Sequence, residues 1–237
     1  MTAPGQPPDT SAEFSIAVKR GLTTPRAAGV AGIAFAVLFV VALLLLRQAV
    51  GLDLDNETVL DNITSTSTAS DLALAGLYAV PFAGIAFLWF IGVVRDRVGA
   101  REDRFFATVF LGSGLLFVAM LFAATAVLGG LIAGNRYGAA APTDVATVGF
   151  ARSVGYSFLF VYASKVAGVF TLVMSMIVRR LGWPRWTSLS GFATAILLIL
   201  SVSFFEPLVV IFAAWVAAIS LYVLVVGGSE SRASDGS

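Results

Sequence analysis

The stretch that says most about the fold is residues 149–178, with the sequence GFARSVGYSFLFVYASKVAGVFTLVMSMIV. A helix needs about 20 apolar residues to cross a bilayer, and this segment exceeds that. Lys165, one of only two lysines in the chain, lies near its middle. At 1.5 Å per helical residue, Lys165 is about 20 Å from Arg152 and about 21 Å from Arg179. An ammonium group at that depth costs at least about 2.5–3.5 kcal/mol, so it needs a partner, a water-filled cavity or a function.

The composition of the whole chain agrees with a membrane location. Of its 237 residues, 58% are hydrophobic and 12% charged, and the mean hydropathy is +0.92. A soluble domain carries about 25% charged residues. The length suits one bundle of helices without a separate soluble domain. A net charge of +1 gives no support for nucleic-acid binding, so no nucleic-acid partner is predicted.

The residue types that are missing narrow the chemistry further. The sequence has no cysteine and no histidine. Disulfides, thiolate nucleophiles, iron–sulfur clusters, histidine-ligated metals and Ser–His catalysis are therefore excluded within this chain. No cofactor and no metal site is predicted. Thirteen arginines against two lysines, with much Ala, Val and Gly, suggest a GC-rich bacterial genome and hence the bacterial plasma membrane.

The apolar segments predict an all-α fold, a polytopic transmembrane helix bundle of about six spans within residues 25–226. Residues 1–24 and 227–237 are polar and are predicted to be disordered tails. The fifth segment is among the shortest, and Ser and Thr dilute its ends. The predicted spans are residues 28–46, 72–94, 105–133, 149–178, 187–205 and 207–226.

Basic residues indicate the orientation of the bundle. Apart from Lys165, eleven lysines and arginines flank the spans on one side, and Arg47, Arg136 and Arg152 lie on the other. Cytoplasmic segments carry an excess of basic residues, so both termini are predicted to be cytoplasmic. The cytoplasmic set is Lys19, Arg20, Arg26, Arg95, Arg97, Arg101, Arg104, Arg179, Arg180, Arg185 and Arg232.

Residues 95–104, RDRVGAREDR, combine dense charges of both signs. Basic juxtamembrane clusters attract anionic lipid headgroups or protein partners, but the mixed signs weaken that attraction. A role in setting the orientation explains this stretch sufficiently.

Helical geometry places several residues near Lys165. With about 100° per residue, Tyr162 and Gly168 each lie about 60° from Lys165, and Gly155 lies within about 80°. Small residues on that face allow another helix to approach closely. Two functions follow: Lys165 binds an anion such as a carboxylate or lipid phosphate, or it carries protons. The structural alternative is a lysine paired inside the bundle or extended toward the interface.

Three further residues complete the predicted ligand-binding set. Arg152 and Tyr156 form a second polar pair on roughly the opposite side of the helix from Lys165. Glu206 is the best partner for Lys165 within the chain, although a carboxylate at the start of a helix, before Pro207, is a simpler interpretation. The candidate ligand-binding residues are Lys165, Tyr162, Arg152, Tyr156 and Glu206.

The segment between the first two spans is acidic. Asp53, Asp55 and Glu57 alternate as at the start of a calcium-binding loop, but Thr58 and Thr64 occupy the positions of the glycine and glutamate that such a loop requires. A solvated acidic loop is therefore predicted.

Two functions from different classes remain open. The first is a protein that binds or transports a small molecule, ion or lipid through a cavity near Lys165. The alternative is a non-catalytic membrane subunit or scaffold in which Lys165 pairs with an acid on a partner helix. A membrane enzyme is disfavoured because the carboxylates are scattered over loops. The predicted partners are the lipid bilayer and either another membrane protein or a second copy of this chain.

Overall fold

A computed structural model describes residues 25–65, 67–98, 104–136, 144–201 and 207–234. Within these ranges every regular element is a helix, which confirms the all-α prediction. The predicted tail at residues 1–24 lies outside the described residues. The elements are α1 (Pro25–Val50), α2 (Asn56–Thr64), α3 (Thr68–Val98), α4 (Arg104–Arg136), α5 (Val145–Tyr156), a π-helix (Ser157–Ala163), α6 (Ser164–Arg180), α7 (Arg185–Leu200) and α8 (Pro207–Ser234).

Five helical segments are long and apolar enough to cross a membrane, which fits an integral membrane protein. They are Arg26–Val50, Thr68–Arg95, Phe105–Gly134, Val145–Arg180 and Pro207–Val226. The fifth predicted span corresponds to α7, which has 16 residues and is about 24 Å long. That is less than the roughly 30 Å of a hydrocarbon core. A membrane crossing by α7, and with it the total of six spans, therefore stays a prediction.

The long helices run between two ends of the bundle. At the first, named the turn end, residues 181–184 join α6 to α7. There the Arg180 guanidinium lies 4.8 Å from the ring centroid of Phe106 in α4, and the ring of Trp183 lies 5.1 Å from that of Tyr222 in α8. The second, named the α2 end, contains α2 and the start of α5. The sequence predicts that the turn end faces the cytoplasm, and this orientation stays a prediction.

A cluster of phenylalanine rings from five helices forms the centre of the bundle. Phe35 of α1 lies 4.6 Å from Phe87 of α3, and Phe87 lies 5.1 Å from Phe170 of α6. Phe117 of α4 and Phe212 of α8 are 5.0 Å apart. All five side chains are fully buried. Aromatic pairs at such distances add favourable ring contacts to dispersion, so this cluster fixes α1, α3, α4, α6 and α8 to one another.

The turn between α6 and α7 depends on one glycine. Gly182 has φ +74°, a left-handed conformation that suits the position after a helix end. Its N–H donates to the Arg179 carbonyl at 3.2 Å, and the Trp183 N–H donates to the Val178 carbonyl at 3.2 Å. Pro184 then precedes the first turn of α7. The result is an antiparallel α6–α7 pair.

Two segments differ from the sequence prediction. The acidic segment contains a helix, α2, rather than a loop throughout. Asp55 caps it by accepting from the Thr58 N–H at 2.8 Å, and Val59 and Ile63 bury one face. At the other end of the chain, α8 continues to Ser234, so the predicted polar tail is helical over residues 227–234.

The longest apolar segment contains a change of helix type. α5, the π-helix and α6 form one continuous helical run over Val145–Arg180, about 50 Å long. The π-helix covers Ser157–Ala163, where hydrogen bonds span five residues instead of four. Each π-helical residue therefore turns the chain less than an α-helical residue does. Side chains on the two sides of this segment do not follow one 100° helical wheel.

Candidate functional site

The side chain of Lys165 ends among the last backbone groups of α7. Its Nζ donates to the carbonyl oxygen of Leu198 at 3.1 Å, to the carbonyl oxygen of Ser201, and to Ser201 Oγ at 3.2 Å. The last carbonyls of a helix have no intrahelical donor and form the negative end of the helix dipole. An ammonium group has three donors, and all three have an acceptor here. Lys165 thus caps the carboxyl end of α7.

A glycine one turn along α6 lets α7 come this close. A Cβ at Gly168 would lie 2.7 Å from Ile199 Cγ1 and 3.1 Å from Leu198 Cβ. Any larger residue would push α7 away from Lys165. Gly155, which the helical wheel placed on the same face, instead contacts a different helix: its Cβ would lie 2.8 Å from Leu128 of α4.

Tyr162 does not share the surroundings of Lys165. Its side chain is 55% exposed, and its ring packs 5.9 Å from that of Phe158 on the same helical run. The acceptors of Lys165 come from α7 instead. The helical-wheel count assumed 100° per residue, and Tyr162 lies in the π-helix, where that angle does not hold.

Arg152 joins α5 to the chain that follows α1. Its guanidinium is buried; Nη1 donates to Asn56 Oδ1 at 2.5 Å, and Nη2 donates to the carbonyls of Gly51 at 2.5 Å and Leu54 at 3.0 Å. The Nε atom is buried and makes no hydrogen bond within the described residues. A planar guanidinium can reach several acceptors at once, which a lysine could not do in the same geometry.

Tyr156 makes a similar contact one turn further along. Its hydroxyl donates to the carbonyl of Val50, the last residue of α1. Tyr156 and Arg152 together therefore satisfy carbonyls at and just beyond the end of α1. Side chains thus donate to the carbonyls at two helix ends in this bundle. Lys165 does so at the end of α7, and Arg152 and Tyr156 do so at the end of α1.

The acidic residues at the α2 end have separate structural roles. Asp53 accepts from Arg47, with Arg47 Nη2 and Asp53 Oδ2 3.3 Å apart, and this hydrogen bond lowers the pKa of Asp53 below its ordinary value. Hydrogen bonds from Thr58 lower the pKa of Asp55, and those from Thr147 lower the pKa of Asp144, which caps α5. The described part of the chain contains no group of three or more acidic, histidine or cysteine side chains that could hold a metal.

A cavity of about 380 Å³ opens near the α2 end, and sequence reasoning did not find it. Three polar residues, Arg47, Thr125 and Tyr156, contribute to a lining that is otherwise apolar. It is named the Arg47 cavity. Its lining comes from α1 (Phe39, Val40, Ala42, Leu43, Leu44, Leu46, Arg47), α3 (Val80), α4 (Leu121, Ala124, Thr125, Leu128), α5 and the π-helix (Tyr156, Leu159, Phe160), and α8 (Pro207, Val209, Val210, Ile211).

The predicted site residues do not form one cluster. The Lys165 side chain contacts the end of α7, while those of Arg152 and Tyr156 contact the end of α1. Of these three residues, Tyr156 lines the Arg47 cavity. Glu206 lies outside the described residues. The ligand-binding roles of all five residues stay predictions.

No protein-family model matches the sequence, and no curated protein or solved structure is significantly similar to it. Function must therefore be inferred from the geometry of the bundle and its cavities.

Proposed function

We propose that the protein binds an anionic amphipathic molecule, such as a lipid with one acyl chain in the Arg47 cavity. The cavity itself carries this proposal. Its volume of about 380 Å³ is within the usual range for small-molecule sites, about 300–1,000 Å³. Such sites are mostly apolar with a few polar groups that orient the ligand. The Arg47 cavity has this composition.

Arg47 supports the choice of an anionic ligand. It lies in the last turn of α1, lines the cavity and is about half exposed. Its ion pair with Asp53 is also exposed, and exposed pairs contribute little to stability. A ligand phosphate or carboxylate can therefore compete with Asp53 for the Arg47 guanidinium. The guanidinium offers such a group two parallel hydrogen bonds.

The surroundings of Lys165 favour this cavity over a ligand site at Lys165 itself. The three ammonium donors already have acceptors on Leu198 and Ser201, at the end of α7, so a ligand there would have to displace the end of a helix. The subunit hypothesis loses support for the same reason, because it assumed that Lys165 needs an acid from a partner helix. Lys165 is not among the residues that line the Arg47 cavity.

Photo-crosslinking tests the proposal. The full chain is reconstituted in phosphatidylcholine vesicles with a small fraction of palmitic acid that carries a diazirine near the chain end. Crosslinks are then mapped by peptide mass spectrometry. We expect crosslinks on residues 39–47 of α1 and 121–128 of α4. Thr125→Phe should lower their yield about tenfold by filling the cavity, whereas Ala119→Phe, on an exposed face of the same helix, should not.

The charge of the ligand has its own control. Arg47→Gln should weaken binding of the acid about tenfold, because it removes a charged hydrogen-bond donor, and should leave binding of the methyl ester of the same probe unchanged. Crosslinks spread evenly over lipid-exposed positions, with no effect of Thr125→Phe, would show that the cavity does not bind the probe.

A further inference from the structure

The turn end carries a cluster of positive charge that the proposed function does not use. Arg179, Arg180 and Arg185 lie within seven residues. The sequence contains no acidic residue between Asp144 and Glu206. This cluster differs from residues 95–104, where acids alternate with the arginines. The positive electrostatic potential of Arg179, Arg180 and Arg185 is therefore not offset by acidic residues near them in sequence.

A second cavity lies at this cluster. Its volume is about 570 Å³, and two of the three arginines line it. Arg180 instead lies over the ring of Phe106. The side chains of Arg179 and Arg185 are exposed. The lining residues are Arg179, Gly182, Trp183, Arg185, Ser188, Leu189 and Phe192.

The α7 part of the lining is amphipathic along the helix. Arg185, Leu189 and Phe192 have the spacing i, i+4 and i+7, which places them on one face in a row. Leu189 is 70% exposed although it is a large apolar residue. The row thus runs from a charge at the turn to apolar side chains further along the helix. A phospholipid has the same order of groups, from phosphate to acyl chain.

Aromatic residues place this row at the depth of lipid headgroups. Trp183 and Trp186 both pack on Tyr222, with ring centroids 5.1 and 5.8 Å apart. Tryptophan and tyrosine are enriched where the hydrocarbon core meets the headgroups. We therefore expect the arginines beside Trp183 to lie at the level of lipid phosphates.

We propose that this cavity is a binding site for an anionic phospholipid. Its phosphate is held by Arg179 and Arg185, and one acyl chain lies along Leu189 and Phe192. Basic pockets at the ends of membrane helices bind such headgroups through charge-assisted hydrogen bonds. The site is independent of the Arg47 cavity, because the two cavities lie at opposite ends of the bundle and share no lining residue.

Native mass spectrometry of the full chain in a nonionic detergent tests this site. Dioleoyl phosphatidylglycerol is the probe, and dioleoyl phosphatidylcholine is the zwitterionic comparison. We expect the double variant Arg179→Gln, Arg185→Gln to bind phosphatidylglycerol at least about tenfold more weakly. Binding of phosphatidylcholine should not change.

A matched variant controls for net charge. Arg26→Gln with Arg95→Gln also removes two exposed arginines, near the ends of α1 and α3, and should keep affinity for phosphatidylglycerol within about threefold of the unmodified chain. Equal losses in both double variants would overturn the site and indicate a general charge effect. Thr125→Phe should have no effect, which separates this site from the Arg47 cavity.

Two further arms separate a lipid from a free phosphate group. Leu189→Ser should weaken binding of phosphatidylglycerol several-fold by removing apolar contact, and should leave binding of glycerophosphoglycerol, which has no acyl chains, unchanged. Displacement of phosphatidylglycerol by millimolar inorganic phosphate, but not by potassium chloride of equal ionic strength, would show that the site binds phosphate itself. That result, or no effect of Leu189→Ser, would overturn the lipid assignment.

Discussion

Lys165 places its charge at the end of a helix whose last carbonyls lack intrahelical donors. An ammonium group and helix-end carbonyls are each unfavourable in an apolar environment when they lack a partner, and here each satisfies the other. The arrangement also aligns a positive charge with the negative end of the α7 dipole. We infer that Lys165 is first a structural residue, which makes the partly buried end of α7 tolerable in an apolar environment.

This inference predicts the effect of Lys165→Met. The variant removes the Lys165 donor from the carbonyls of Leu198 and Ser201, and only the Leu198 carbonyl keeps another described donor, Ser201 Oγ at 3.2 Å. We therefore expect the free energy of unfolding to fall by about 2 kcal/mol. The measurement is a denaturation curve of the purified chain in mixed micelles, followed by far-UV circular dichroism. Tyr162→Phe is the control and should change stability by less than about 0.5 kcal/mol, because the Tyr162 side chain is more than half exposed. An unchanged curve for Lys165→Met would contradict the capping role.

The sequence predicted the depth of Lys165 but not its partner. The depth follows from counting residues along an apolar helix. Glu206 was the partner expected from the sequence because that carboxylate is enclosed by apolar segments. A sequence does not show which backbone carbonyls lack a partner. Within a helix they accept from backbone N–H groups, and only where a helix ends are they left for a side chain. The end of α7 at Leu200 has no proline or glycine to mark it.

Among the elements, α2 shows a helix that its sequence signals well. Asp55 is a favoured N-cap residue, and Val59 and Ile63 have the spacing of one helical face. The acidic character of the segment outweighed these signals in the loop prediction. The π-helix is different, because no pattern of residues in the sequence predicts it. The direction of the Tyr162 side chain, which depends on the π-helix, could therefore not be predicted from the sequence.

Close packing of α7 against α6 and α8 depends on small residues, and this leads to a prediction for Gly191. A Cβ at Gly191 would overlap Ser175 Oγ and lie 2.9 Å from Trp215 Cζ2. Both neighbours are buried, so Gly191→Ala should destabilise the bundle by about 1–3 kcal/mol.

Gly112 provides the matched control on α4. A Cβ there meets no atom within 4 Å, so Gly112→Ala should be neutral or stabilise by less than about 1 kcal/mol, since alanine is the better helix former. The same micelle denaturation measures both variants. Equal effects at the two positions would mean that packing against Ser175 and Trp215 is loose.

For the whole molecule, composition was enough to predict the class of fold. A chain with 12% charged residues and long apolar segments has to form membrane helices, since their backbone groups are satisfied within each segment. The two cavities could not be predicted in this way. The Arg47 cavity is bounded by residues from distant parts of the chain, such as Arg47 and Pro207, whose proximity depends on how the helices pack. The cavity at the turn end is lined by residues within 179–192, and its shape depends on how the chain turns between α6 and α7.

The direction of α8 leads to the last prediction, which concerns topology. Pro207 lies near Arg47 toward the α2 end, and Tyr222 contacts Trp183 at the turn end, so α8 runs in the same direction as α6. The chain therefore returns toward the α2 end between Arg185, where α7 begins, and Pro207, where α8 begins. Single cysteines in this cysteine-free chain, Leu181→Cys, Ser237→Cys and Asp61→Cys, can be labelled with a membrane-impermeant thiol reagent in sealed vesicles. We expect positions 181 and 237 to react from one side and position 61 from the other. If 181 and 237 react from opposite sides, the chain crosses the membrane five times and α7 is re-entrant.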